Sequence, residues 1–223
     1  MSLSAVVRVT SVGFLLTVVF AGIGPASSRA ATIFTSFGPS DSFDDTQALA
    51  VQGTSLTPPF KYIDAGSLFT ASEGGAVTGV DLALEGAAGT ASVFLSFWTD
   101  VGGLPGTQIG GVFSVALPSS PGVVAVTGIT GIDLVGGQNY VLELAPGGSN
   151  TVADWYVNNQ GLLGAIGNNS TGWKSDGADA REGAFDVTGG TAAIPEPVSA
   201  ALLVPGLAAM ALIRRRARRA AWP

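Results

Sequence analysis

The middle of this chain, residues 31–190, consists of short stretches in which apolar and polar residues alternate. Val80, Leu82 and Leu84 share one face of an extended segment. Residues 93, 95 and 97 do the same, and Phe94 and Trp98 lie opposite them. A period of two predicts strands that pack on one face and meet water on the other. Further strands are predicted at residues 32–37, 67–71, 112–117, 123–127, 140–144, 152–157 and 184–187.

Glycine and proline separate these stretches. Residues 102–106 read Gly-Gly-Leu-Pro-Gly, and residues 136–139 read Gly-Gly-Gln-Asn. Such sequences combine a fixed φ at proline with glycines free to adopt positive φ, which is typical of turns. No stretch of the middle has the apolar spacing of an amphipathic helix. The strands recur roughly every 10–20 residues, so an all-β, antiparallel, jelly-roll-like β-sandwich is predicted as one domain over residues 31–190.

Residues 1–30 predict a secretory signal peptide with an N-terminal helix. Arg8 supplies its positive charge, residues 9–23 are apolar, and Pro25 ends the helix. Ser28 and Ala30 are small residues at the positions that signal peptidase reads, so cleavage is predicted after Ala30. An uncleaved N-terminal anchor is the alternative.

Residues 191–223 predict a short membrane segment that is held by positive charge. Residues 198–213 form an uncharged apolar run of 16 residues, interrupted by Pro205 and Gly206. As a helix the run covers roughly 24 Å, whereas a bilayer core is about 30 Å thick. A basic cluster directly after an apolar run stops transfer across the membrane. That cluster is Arg214, Arg215, Arg216, Arg218 and Arg219.

The C-terminal segment resembles the PEP-CTERM sorting signal, which consists of a Pro-Glu-Pro motif, a short apolar helix and an arginine cluster. Here the motif is Pro195, Glu196 and Pro197, preceded by Ile194 where the family usually has valine. The resemblance implies an exported protein of a Gram-negative bacterium that makes exopolysaccharide. It also implies a membrane-embedded exosortase that cleaves near the motif. An ordinary C-terminal anchor is the alternative.

A second resemblance covers about residues 60–160. The segments Phe-Trp-Thr-Asp at 97–100, Leu-Pro-Gly-Thr at 104–107, Gly-Gln-Asn-Tyr-Val-Leu-Glu-Leu at 137–144 and Asp-Trp-Tyr at 154–156 are similar to choice-of-anchor domains. Those are exported β-sandwiches joined to interchangeable C-terminal anchors. The resemblance implies architecture and compartment, and no catalytic residues.

Composition narrows the chemistry. The chain has no histidine and no cysteine, which excludes disulfides, thiolate metal sites and most hydrolytic triads. Fifteen acidic residues and three basic ones lie between positions 31 and 194, a net charge of −12. Nucleic acid is therefore excluded as a partner because its phosphates would be repelled. No cofactor is predicted.

Carboxylates and aromatic rings remain as candidate site residues. Paired carboxylates could cleave glycosidic bonds, acidic loops could bind calcium, and acids in polar stretches most often face water. Aromatic rings could stack on sugars, although tryptophan in a strand more often belongs to the core. One acidic cluster consists of Asp41, Asp44 and Asp45. The other consists of Asp176, Asp179 and Glu182 and is the calcium candidate. The sugar-binding candidates are Trp173, in a Gly/Asn/Ser-rich loop, Trp155 and Tyr156, with Trp98 alongside.

The sequence thus predicts an exported, non-enzymatic protein that is briefly anchored in the inner membrane and then reaches the envelope or extracellular matrix. A structural or adhesive role in an exopolysaccharide-associated layer is the first hypothesis. A carbohydrate-binding module for matrix polysaccharide is the alternative, and a glycan-acting enzyme follows it. The predicted partners are signal peptidase, an exosortase-type protease and exopolysaccharide.

Overall fold

The computed structural model describes residues 30–55, 63–169 and 171–190. This part of the chain is all-β, as predicted, with a turn of 3₁₀ helix at Pro39–Asp41. No helix in the described ranges is long and apolar enough to span a membrane. The predicted signal helix, the Pro-Glu-Pro motif, the membrane helix and the arginine cluster lie outside these ranges.

Within the described ranges, thirteen strands form two antiparallel sheets. The six-stranded sheet has the order β12-β11-β3-β9-β5-β6. The strands are β1 Ala31–Thr35, β2 Asp44–Gln52, β3 Asp64–Thr70, β4 Gly75–Ala88, β5 Ser92–Asp100, β6 Pro105–Ala116, β7 Gly122–Thr127, β8 Asp133–Leu134, β9 Asn139–Pro146, β10 Val152–Val157, β11 Ala165–Asn168, β12 Trp173–Ser175 and β13 Phe185–Gly190.

The seven-stranded sheet is organised around β4, its longest strand. Leu82 of β4 is in register with Phe185 of β13 and with Val124 of β7, so these strands flank β4 on opposite sides. β10 pairs with the C-terminal part of β4 on the same side as β13. β8 pairs with the N-terminal end of β4 on the same side as β7. β1 pairs with β13, and β2 pairs with β10. β7 is therefore an edge strand.

The main apolar core contains residues of both sheets, which is consistent with a β-sandwich. Phe69 of β3 packs edge-to-face on Phe185 of β13, with ring centroids 5.5 Å apart. Val93, Leu95 and Phe97 are buried as their alternation predicts, and Phe94 is exposed. Edge-to-face aromatic pairs contribute about 0.5–1.5 kcal/mol beyond the area they bury. The core therefore joins the two sheets through their inward-facing side chains.

Candidate functional site

The outer face of the six-stranded sheet carries the best candidate site. Strand register places Ile166, Gly66, Glu143 and Ser96 side by side across four strands. These positions alternate with core residues, so their side chains leave the sheet on the face opposite the core. The row therefore crosses the outer face from β11 to β5.

Trp173 occupies one end of this row. A Cβ placed on Gly66 would lie 3.2 Å from Cζ3 of Trp173 and 2.7 Å from Cγ1 of Ile166. Glycine at position 66 thus leaves the space that the indole ring fills. Trp173 is half-buried and begins β12, an edge strand, so the prediction that it lies in a loop is wrong. Its ring lies over β3, next to the position of Glu143.

A chain of hydrogen bonds occupies the other end. Nε1 of Trp98 donates to Oγ of Ser96 at 2.9 Å, and that hydroxyl donates to Oε2 of Glu143 at 2.7 Å. Glu143 is only 8% exposed. Burial raises the pKa of its carboxyl, the bond from Ser96 lowers it, and the nearby charge of Asp64 raises it. The bonds fix the orientation of both the indole ring and the carboxyl group.

A further polar pair lies beside Trp173. Nδ2 of Asn168 donates to Oδ2 of Asp64 at 2.9 Å, and Asp64 is buried. Asn168 is in register with both Trp173 and Asp64. The face thus combines aromatic rings with fixed hydrogen-bonding groups, which is the usual composition of a small-molecule site.

An open cleft of about 450 Å³ adjoins Trp173. The turn between β5 and β6 forms one wall, where Gly102 and Gly103 adopt φ of 68° and 83° and the Gly103 N–H donates to Oδ1 of Asp100 at 2.6 Å. This is the turn that the Gly-Gly-Leu-Pro-Gly sequence predicts. The remaining lining includes Leu68, Leu104, Ile166 and Lys174.

Two of the sequence-predicted sugar-binding residues do not join this site. Trp155 is 0% exposed; its Nε1 donates to the Ala184 carbonyl at 3.1 Å and its ring packs on Phe185. It therefore has no face free for a sugar, and the alternative that this tryptophan belongs to the core is confirmed. Tyr156 is buried on the outer face of the other sheet, packed on Phe43. Its hydroxyl donates to Glu85, which raises the pKa of Tyr156 to about 12.

The acidic candidates also separate. Asp44 forms an ion pair with Arg181 at 2.7 Å; bonds from Thr46 and Arg181 lower its pKa to about 2. Asp41 and Asp45 are exposed, as are Asp176 and Asp179. Glu182 is 2% exposed, so the prediction that these acids face water is wrong for it. In the described ranges no three acidic residues are grouped to hold a metal, and the calcium candidates Asp176, Asp179 and Glu182 are not brought together.

Carboxylates instead gather on the outer face of the seven-stranded sheet. Asp81 and Asp186 lie directly opposite each other on β4 and β13, as do Glu85 and Asp154 on β4 and β10. Burial, with the charges of Asp81 and Asp41, raises the pKa of Asp186 to about 6. Like charges directly opposite each other destabilise a sheet. This face is therefore strongly acidic and differs in chemistry from the face that holds Trp173.

Sequence reasoning missed the Trp98–Ser96–Glu143 chain. The alternation in β5 places Trp98 on the outer face, but residues 140–144 gave no sign that Glu143 is covered. Comparison with protein families, with curated proteins and with solved structures finds no match to this chain.

Proposed function

We propose that this chain is an exported, non-enzymatic protein of the cell envelope or extracellular matrix that adheres to matrix polysaccharide. The observation that carries the adhesive role lies on the outer face of the six-stranded sheet. There the row through Gly66, Glu143 and Ser96 has Trp173 at one end and Trp98 at the other. Aromatic rings pack on the apolar faces of sugar rings, and fixed carboxyl and hydroxyl groups hydrogen-bond sugar hydroxyls. A jelly-roll-like sandwich is the finer architecture we propose for this body.

The spacing of the row suits an extended sugar chain. Gly66, beneath Trp173, and Ser96, bonded to Trp98, are separated by one intervening strand, so they lie about 10 Å apart. This length is comparable to a disaccharide. Glu143 lies between them and, through Ser96, fixes the Trp98 indole ring for contact with the sugar.

Charge narrows the polysaccharide class. Glu143 and Asp64 lie in the floor of the site, and the body carries a net charge of −12. Uronic acids and sulfated sugars would be repelled at such a site. Neutral or amino-sugar polymers are therefore the proposed ligands.

Replacing Trp173 with alanine should weaken polysaccharide binding by about tenfold or more, because an aromatic anchor at the centre of a contact commonly contributes over about 1.4 kcal/mol. Trp173→Phe should retain most of the affinity because it keeps a flat ring. The measurement is binding to an array of neutral, amino and acidic glycans, followed by titration of the best ligand.

Phe43→Ala is the matched control, because Phe43 is a partly buried aromatic residue on the outer face of the other sheet. It should leave binding unchanged. Binding that is insensitive to Trp173→Ala, or that prefers acidic glycans, would refute this assignment of the site.

Export and sorting form the second part of the proposal and rest on the sequence. The proposed precursor has residues 31–197 outside the inner membrane and Arg214 to Arg219 inside. An exosortase-type enzyme then cuts near Pro195, Glu196 and Pro197. Each arginine placed at the bilayer centre would cost about 2.5–3.5 kcal/mol, so the cluster is a firm stop.

Two sets of substitutions distinguish the membrane stop from cleavage at the Pro-Glu-Pro motif. Glu196→Ala should leave membrane insertion intact and cause the uncut form to accumulate in the membrane. Replacing all five arginines with glutamine should instead remove the stop and mis-sort the protein. Cell fractionation with immunoblotting distinguishes the forms, and normal processing of the Glu196→Ala chain would argue that the motif is not recognised.

A further inference from the structure

A long uncharged segment forms one side of the molecule. Residues 101–132 contain no Asp, Glu, Lys or Arg, although the body as a whole is strongly acidic. The segment includes two consecutive strands, β6 and β7, joined by residues 117–121. β6 is one edge of the six-stranded sheet, and β7 is an edge of the seven-stranded sheet among the described strands. The chain therefore crosses between the sheets here, and both edges are free of charge.

The core is incompletely covered at this side. The partly buried apolar residues that pack against the main core come largely from this segment: Ile109, Phe113, Leu117, Val124 and Val126. We call these five residues the open seam. The other two such residues are Phe34 of β1 and Leu49 of β2. Burying the remaining apolar surface of the seam would yield about 25 cal/mol per Å².

β7 is the edge better suited to accept another strand. Its six residues pair with β4 in unbroken register, whereas two irregularities interrupt the pairing of β6 with β5. Beyond its pairing with β4, β7 makes no backbone hydrogen bond to any other described residue. Edge strands are usually protected by charge, proline or bulges, and β7 has none of these. Val123, on its outer face, is 42% exposed.

The occupant that fits this edge is a second copy of the chain. Two copies with a net charge of −12 in the body repel each other wherever acidic surfaces meet, and the uncharged side is where they can approach. A basic partner would instead be drawn to the carboxylates on the outer face of the seven-stranded sheet, around Asp81 and Asp186. An uncharged, apolar edge strand is also self-complementary, as a two-fold contact requires. We propose that β7 pairs antiparallel with β7 of a second copy, so that the two seven-stranded sheets become continuous and the open seams are covered.

Cysteine cross-linking tests this contact cleanly, because the natural chain has no cysteine. In an antiparallel pair of identical strands, one residue faces its own counterpart across the two-fold axis. Val123→Cys, Ala125→Cys and Thr127→Cys cover the registers in which an outer-face residue lies on the two-fold axis. The double variants Val123→Cys/Ala125→Cys and Ala125→Cys/Thr127→Cys cover the registers in which Val124 or Val126 lies on that axis. We expect at least one of them to give a cross-linked dimer of the full chain after mild oxidation of whole cells. Thr32→Cys is the control, since Thr32 is exposed on β1 at another edge of the same sheet.

A charge introduced into β7 provides a second test of the β7–β7 contact. Added to the cross-linking variant, Val123→Glu, or Thr127→Glu where position 123 already holds the cysteine, should lower the dimer yield several-fold, because it brings two like charges together. Leu163→Glu adds the same charge at another exposed apolar position and should leave the yield unchanged. The proposal is overturned if none of the single or double cysteine variants of β7 cross-links above the Thr32→Cys control, or if the β7 glutamate variant and Leu163→Glu give the same yield. Cross-links to a different protein in place of the dimer would also overturn it.

Discussion

Replacing Glu182 with glutamine should remove most of the pH dependence of stability that the folded protein shows between about pH 6 and pH 8. Glu182 is 2% exposed, and no side-chain hydrogen bond or ion pair to it is present within the described residues. Burial raises the pKa of its carboxyl from 4.5 to about 8. Ionising it in the folded protein rather than in the unfolded chain therefore costs up to about 5 kcal/mol.

The sign of this pH dependence follows from the number of protons bound in the folded and unfolded states. Between these two pKa values the folded state holds a proton that the unfolded state has lost, so the free energy of unfolding falls as the pH rises. The slope approaches about 1.4 kcal/mol per pH unit and flattens above pH 8. Glu182→Gln is neutral throughout. The stability of the variant relative to the natural protein should therefore increase by about 3–4 kcal/mol from pH 5 to pH 8.5.

Denaturant unfolding at a series of pH values measures this difference. Asp179→Asn is the control because Asp179 is a neighbouring acid that is exposed. It should leave the slope unchanged. Parallel pH profiles for the natural protein and Glu182→Gln would show that the carboxyl is not held protonated by burial.

Gly183→Ala should destabilise the protein by about 3 kcal/mol or more, at the upper end of the cost of overpacking. A Cβ at this position would lie 2.1 Å from Cε2 of Trp155, a residue with no exposed surface. The backbone cannot move away easily. Its N–H donates to Oγ of Ser67 at 2.9 Å, and its carbonyl accepts from Oγ of Ser36 at 3.0 Å.

These two buried serines belong to different sheets: Ser67 is in β3, and Ser36 directly follows β1. The substitution therefore strains the region where the chain links both sheets around Trp155. Gly111→Ala is the matched control, because nothing lies within 4 Å of its added Cβ. Thermal and denaturant unfolding should place Gly111→Ala near the natural protein. Equal stability of the two variants would contradict the packing described around Trp155.

The strands with clean alternation were predicted from sequence because burial on one face leaves a direct mark on the pattern. The predicted strand at 152–157 coincides with β10, and the predicted turn is confirmed at residues 102–104, with Pro105 and Gly106 already in β6. β2 was not predicted: its residues are mostly exposed or half-buried, so little apolar periodicity marks it. β6 extends well before its predicted start, across Gly110 and Gly111, because pairing with β5 overrides the local weakness of glycine.

The site was only partly predictable for a related reason. Trp173 was singled out for its ring, but the pairing of β12 with β11 that places it over Gly66 is a long-range contact. Glu143 stands in a run whose two faces are both buried, as its neighbour Val141 is 0% exposed. Periodicity alone cannot separate a covered polar face from the core. The separation of Trp155 from Trp173 likewise follows from sheet pairing, which no local pattern contains.

The most direct test of the central claim, that the chain is exported, trimmed at both ends and released into an extracellular layer, is the intact mass of the protein recovered from the extracellular fraction of its own host. We expect a chain that begins at Ala31, within a few residues, and ends near Pro195, Glu196 and Pro197, so that the arginines and Trp222 are missing. A protein that retains Met1, or that keeps Trp222 and remains stably in the membrane, would contradict it.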